Sequence, residues 1–134
     1  DFIYRPADAE EHFIHFSTVD DQLAGYLRLS LPCADFPPNR RPQREALYAA
    51  IPELRGTALI REVHIYGQSL EVGSEQAGAA QHSGLGTALL KEAEKTALEN
   101  GFSRLAVIAA IGTSLYYEKR GFVKEHLYMT KKLA

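Results

Sequence analysis

The chain is poor in soft and sulfur-bearing residues: one cysteine, one methionine and no tryptophan in 134 residues. A single thiol, Cys33, excludes an internal disulfide and any zinc or iron–sulfur site built on several cysteines. Cys33 sits in a proline-rich stretch and is read as non-catalytic. No apolar run approaches the roughly 20 residues that cross a bilayer as a helix. No signal peptide is visible either, so no membrane partner is expected and a cytoplasmic setting is the default. Charge of one sign is not in excess: 15 basic against 17 acidic residues give a net −2. The totals therefore do not announce nucleic-acid binding. No clustered metal ligands stand out. The first residue is Asp1 rather than methionine, which leads us to expect a piece of a longer protein.

What is present is ordinary for a domain that buries a core: 46% hydrophobic and 24% charged residues. The length predicts one domain. Residues 2–5 read as extended. Glu11 to Thr18 and Gln22 to Leu31 alternate around the polar Asp20-Asp21, which predicts an antiparallel hairpin. Four prolines make 32–42 a loop. Gln43 to Ile51 is a helix candidate, and Pro52 to Gly56 turns the chain. Leu59 to Tyr66 reads as a strand, with Val63 and Ile65 on one face and Glu62, His64 and Tyr66 on the other. Gly67 to Ala80 reads as loop. Gly86 to Asn100 has the clearest helical period: Leu85, Leu89, Ala93 and Ala97 recur every four residues, with Leu90 and Leu98 beside them. Asn100-Gly101 should stop it. Leu105 to Ala110 is continuously apolar, as a strand buried on both faces would be. A short helix opens at Gly112-Thr113-Ser114 and ends at Gly121, and Val123 to Leu133 reads as one closing strand. The expected order, β-β-(α)-β-α-β-α-β, contains one βαβ unit.

Three constellations carry chemistry. The first is Gln81-His82-Ser83-Gly84-Leu85-Gly86 at the start of that helix. A helix amino end leaves about four N–H groups unpaired and carries roughly half a positive charge, which a pyrophosphate satisfies. Gly84 and Gly86 let the ligand approach the backbone. A dinucleotide fingerprint is a poorer fit, because the third glycine and the tight turn after a strand are missing. The second is Arg61-Glu62-Val63-His64-Ile65-Tyr66. A strand ending beside that loop can pair with an extended amide-bearing ligand, and Glu62 or His64 could act as a base. The third is Tyr116-Tyr117. A phenol with an ordinary pKa near 10 suits protonation of a thiolate, whose own value is near 8.5. Each has a plainer reading: a turn into a helix, a covered central strand, and amphipathic packing. Arg40, Arg41 and Arg44, and Lys131 with Lys132, form small basic clusters that are ordinarily solvated faces.

In this order, the pieces resemble the Gcn5-related N-acetyltransferase (GNAT) superfamily. Its phosphate loop, Gln/Arg-x-x-Gly-x-Gly/Ala, is met by Gln81, Gly84 and Gly86. Its Tyr-x-x-x-Gly-Phe motif is met by Tyr117, Gly121 and Phe122. The resemblance implies an α/β (α+β) acyl-CoA N-acyltransferase fold: a mixed, mostly antiparallel sheet, flanked by helices, with a central V-shaped parallel splay. Leu59–Tyr66 and Leu105–Ala110 would line that splay. A narrower resemblance is to the C-terminal acetyltransferase domain of the Elongator protein 3 (Elp3) family. It rests on Arg61-Glu62-Val63-His64-Ile65-Tyr66-Gly67, on Gln81-His82-Ser83-Gly84-Leu85-Gly86, and on Gly112-Thr113-Ser114-Leu115-Tyr116-Tyr117. That family modifies wobble uridine of tRNA at C5, from acetyl-CoA and a radical generated from S-adenosylmethionine at a [4Fe–4S] cluster. With only Cys33, this chain cannot hold the cluster. S-adenosylmethionine and the cluster would belong to a radical domain of the same polypeptide outside this chain, and that domain, tRNA and other Elongator subunits are the implied partners. The resemblance further implies roles. Acetyl-CoA would bind to the backbone of Glu62, Val63, His64 and Ile65, to Gln81, His82, Ser83, Gly84, Leu85, Gly86, Thr87 and Ala88, and to Tyr117. Tyr117, assisted by Tyr116, would protonate the CoA thiolate, with Glu62 or His64 as base. The entry helices of a generic GNAT domain do not precede the first strand pair, which leaves the acceptor side open. A free-standing N-acetyltransferase acting on a protein lysine or a small amine, and a non-catalytic acyl-CoA-binding or tRNA-docking module, are the alternatives.

Overall fold

The computed structural model describes residues 2–4, 9–17, 20, 23–33, 41–66, 84–108 and 113–133. The expected loop over Gly67 to Ala80, and Gln81, His82 and Ser83 of the phosphate motif, lie outside them. The strands are β1 (Phe2–Tyr4), β2 (Ala9–Ser17), β3 (Leu23–Pro32), β4 (Ala58–Ile65), β5 (Arg104–Val107), β6 (Val123–Lys124) and β7 (Met129–Lys132). The helices are α1 (Arg41–Ala50), α2 (Gly86–Glu99) and α3 (Ser114–Glu118), with a 3-10 turn at Pro52–Leu54. All seven strands join one sheet, in the order β1-β2-β3-β4-β5-β7-β6. Every neighbouring pair is antiparallel except β4 and β5.

The predicted hairpin is β2–β3, in register from Ala9 opposite Pro32 to Phe16 opposite Gly25, with a shift of register before Ser17 opposite Leu23. Its alternation has the expected cause. Ile14, Leu27, Leu29 and Leu31 point to the core, where α2 lies. α2 is amphipathic as the period requires: Gly86, Leu89, Leu90, Ala93 and Ala97 are buried. The alanines keep the helix close to the sheet, and the leucines fill the space against Leu105, Phe122 and Met129. Leu98, read with this face, is instead 41% exposed, because a residue one step past Ala97 rotates about 100° off the buried stripe. The helix stops at Asn100–Gly101. The Asn100 amide caps the last turn, and Gly101 takes φ of 90°, a conformation that favours glycine.

Two expectations change. β5 ends at Val107, and Ile108, expected within the buried run, is 60% exposed; Ala109 and Ala110 lie outside the described residues. The closing strand is two strands, β6 and β7, folded on each other. Their turn is closed by the Glu125 N–H donating to the Tyr128 carbonyl. It is pinned from outside by Glu53, which is 4% exposed and accepts the N–H groups of Leu127 (2.5 Å) and Tyr128 (3.0 Å). Burial works to raise the Glu53 carboxyl. The amides of Leu127, Glu53 and Tyr128 outweigh it, so its pKa is lowered. No helix among the described residues is long and apolar enough to cross a membrane.

Candidate active site at the β4–β5 notch

The parallel contact between β4 and β5 covers only three residue pairs, Ala58–Ile60 against Leu105–Val107. Beyond Ile60, β4 continues to Ile65 while still paired with β3 on its other side. From Arg61 to Ile65, the β4 edge that would face β5 has no strand partner among the described residues. This is the splay that the GNAT resemblance implies. A β-bulge falls at its apex: Leu29 opposes Ile60 and Arg28 opposes Glu62, which leaves Arg61 as the extra residue. Bulges re-aim backbone and side-chain groups at the point where a ladder ends.

The amino end of α2 is seated over the far end of β4. A methyl group on Gly25, which pairs with Ile65, would come within 3.0 Å of the His64 carbonyl oxygen, 3.1 Å of Leu85 Cδ2 and 3.2 Å of Ile65 Cδ1. Only glycine lets Leu85 press this closely on the sheet. The same loop is open on its outer side. Among the described residues, a Cβ on Gly84 would meet nothing within 4 Å, whereas Gly86 is buried against the core. Gly84, Leu85, Gly86, Thr87 and Ala88 thus present a helix start with free space above it, which fits the chemistry of a pyrophosphate.

Glu62 is anchored. It accepts a hydrogen bond from the Tyr26 hydroxyl (2.6 Å) and one from the Arg28 guanidinium (3.2 Å). These two donors hold its carboxyl below the usual carboxylate range. In the reverse sense, the hydrogen bond to Glu62 is the main reason that the Tyr26 phenol is pushed up to about 12. A carboxylate held this way is a weak base, so the arrangement favours an electrostatic and positioning role for Glu62. His64 is exposed, and its ring stacks on Tyr26 (5.6 Å, 9°) and Tyr66 (5.2 Å, 27°). Phe13 extends the row by stacking on Tyr26 at 4.8 Å. Val63 and Ile65 pack toward the core from the other face, as expected.

Tyr116 and Tyr117 take different environments. Tyr117 is 9% exposed and meets Phe122 (5.5 Å) and Tyr116 (5.2 Å) edge-on. Burial, reinforced by Tyr116 and opposed by Arg120, raises its pKa. Its hydroxyl makes no hydrogen bond among the described residues. Tyr116 lies under a guanidinium, with Arg120 Cζ 3.6 Å from its ring centre. Arg120 donates to the Tyr116 carbonyl (2.9 Å) and to Thr87 Oγ1 (3.1 Å). It therefore ties the first turn of α2 to the tyrosine helix. Sequence reasoning missed Arg120, although its i, i+4 spacing from Tyr116 is a readable signal. Tyr26 and Arg28 were missed as well, and only strand register brings them to Glu62. Of the basic clusters, Lys131 is paired with Glu94 at 2.9 Å and lies over Phe122. Arg41 and Arg44 lie on α1, and Arg40 is outside the described residues.

The seven-stranded sheet with one short parallel pair, opened beside a helix start, is the GNAT acetyltransferase fold. It superposes on Gcn5 of Tetrahymena over 96% of this chain and 71% of that one (TM-score 0.58, 14% identity). It also superposes on the PaiA N-acetyltransferase of Thermoplasma acidophilum, solved with coenzyme A, over 91% and 60% (TM-score 0.56, 18% identity). Within that fold, the chain is similar to Elp3 proteins. An archaeal Elp3 from Methanocaldococcus infernus matches 98% of it (TM-score 0.70, 29% identity), using 29% of that chain. The tRNA uridine(34) acetyltransferase of Dehalococcoides mccartyi is 37% identical over 131 residues, or 97% of this chain. Elongator complex protein 3 of Danio rerio is 45% identical over 84 residues, 61% of this chain. The chain spans 26% and 15% of those two relatives' own lengths. No family model matches it.

Proposed function

We propose that this domain binds acetyl-CoA in the notch beside β4 and cleaves its thioester within an Elp3-like enzyme that modifies the wobble uridine of tRNA at C5. The observation that carries the reading is the open β4 edge with the amino end of α2 seated on its last residues. From Glu62 to Ile65, that edge supplies N–H and C=O groups that can pair with an extended, amide-bearing pantetheine arm. The backbone N–H groups of Gly84 to Ala88, together with Gln81, His82 and Ser83, would hold the pyrophosphate, and the open space above Gly84 fits that use. Bound acetyl-CoA would supply an activated acyl thioester. The bulge at Arg61 turns backbone groups out of the ladder, and one N–H aimed at a developing oxyanion is worth a few kcal/mol. Tyr117, kept protonated by burial, would be the group to give a proton to the thiolate as coenzyme A leaves. Glu62, anionic and anchored, orients the site, and His64 is the candidate base. The names of the D. mccartyi and D. rerio relatives support tRNA and Elongator subunits as partners of the whole protein, in which RNA binding would trigger cleavage.

The test is acetyl-CoA binding by calorimetry. Gly84→Glu places a carboxylate in the space the pyrophosphate needs and should weaken binding at least about tenfold. Equal affinities, or no binding by the wild type, would sink the assignment. Tyr117→Phe should bind normally and lose thioester turnover in the full-length protein.

A further inference from the structure

A second cavity, of about 280 Å³, lies between α1 and the sheet, and meets the notch at the bulge residue Arg61. Leu47, Leu54 and Leu59 supply apolar wall, and Glu11, Ser30 and Arg61 supply polar groups. Two of those polar groups are unsatisfied. Glu11 is 7% exposed; its Oε2 accepts the Ser30 hydroxyl at 2.5 Å, while its Oε1 is buried with no hydrogen-bond partner. Leaving a buried carboxylate oxygen unpaired is costly, so such a group calls for an explanation. On the same cavity, the exposed Arg61 guanidinium has no ion-pair or hydrogen-bond partner among the described residues. An unpaired acceptor inside and an unpaired cation at the mouth describe a ligand with an N–H donor at one end and an anion at the other.

We propose that this cavity takes one single-stranded nucleotide carrying an amino-bearing base, its phosphate on Arg61 and its amino group on Glu11. The apolar wall receives the ring. The carboxylate chooses the base. Cytosine offers a two-hydrogen amino group to a glutamate, whereas uracil flanks its one N–H with two carbonyl acceptors that a carboxylate repels. The inference rests on the RNA-linked reading above and deepens it: the nucleotide held here is a neighbour of the modified uridine, not the uridine itself.

The experiment is an amide-shift NMR titration of the protein with cytidine monophosphate, uridine monophosphate and inorganic phosphate. Cytidine monophosphate should shift Glu11, Ser30 and Arg61 and bind about tenfold more tightly than uridine monophosphate. Glu11→Gln should erase that preference. Arg61→Met should weaken both nucleotides about tenfold and, as an exposed position, leave the fold intact. If Glu11→Gln does not fold, the wild-type base preference and Arg61→Met still decide the matter. Equal affinity for both nucleotides, shifts confined to Arg61 with phosphate alone, or insensitivity to Arg61→Met would overturn the proposal. Acetyl-CoA titrated into the same sample separates the two readings. Shifts at Gly84 to Ala88 without nucleotide shifts at Glu11 remove only the cavity, and the reverse removes only the acetyl-CoA notch.

Discussion

Replacing Tyr26 with phenylalanine removes one oxygen and with it the 2.6 Å hydrogen bond to Glu62. The ring keeps its stacking on Phe13 and His64, so the lost interaction is chiefly electrostatic. The phenol shifts from 10.0 to about 12, which sets a ceiling of about 2.7 kcal/mol at 1.36 kcal/mol per unit. The side chains of Glu62 and Arg28 are each 37% exposed. Solvent screening therefore brings the expected loss at neutral pH to about 1 kcal/mol. The pH dependence is more telling than the size. A pKa raised on folding gives stability that is complete below the unfolded value of 10.0 and is lost as pH rises through about 12. On the acid side, the lowered Glu62 pKa gives stability present above 4.5 and lost as pH falls through its folded value. Urea denaturation of wild type and Tyr26→Phe across this range should give a stability difference with a plateau between these limits and a decline at both ends. A difference near zero at pH 7, or one that stays constant up to pH 12, would refute the picture of an anchored Glu62 and restore it as a candidate base.

Arg120→Met should cost about 1–2 kcal/mol from two charge-assisted hydrogen bonds and the ring contact. Because it frees Tyr116 and Tyr117 from the first turn of α2, thioester turnover should fall more than acetyl-CoA affinity; calorimetry and a thiol-release assay read the two. The Leu127 and Tyr128 amides both donate to the same Glu53 oxygen, Oε2, so Glu53→Gln replaces that charged acceptor with a weaker neutral amide oxygen. It should destabilise by about 1–3 kcal/mol, and hydrogen exchange should report the loss at Leu127 and Tyr128 first.

The sequence made β4, the β2–β3 hairpin and α2 legible, because each depends on a local period or on glycines at a helix stop, whereas the notch followed from the GNAT resemblance. What it hid depends on residues far apart. Tyr26 and Arg28 reach Glu62 across 36 and 34 positions, and the register that joins them is set by the whole β3–β4 ladder, including its bulge. The last strand read as continuous because its apolar pattern is. The carboxylate that folds it in two comes from Glu53, 74 residues earlier. Leu98 misled because a four-residue repeat does not show how wide a buried stripe is.

The short seam between β4 and β5 divides the sheet into unequal panels, four strands on one side and three on the other, joined by three residue pairs and bridged by α2. The acetyl-CoA proposed to enter there would complete the joinery. Its amides would take the place of a missing strand edge and its phosphates the place of a helix cap. A molecule bound in this way closes the seam, so its occupancy should govern how firmly the two panels move as one.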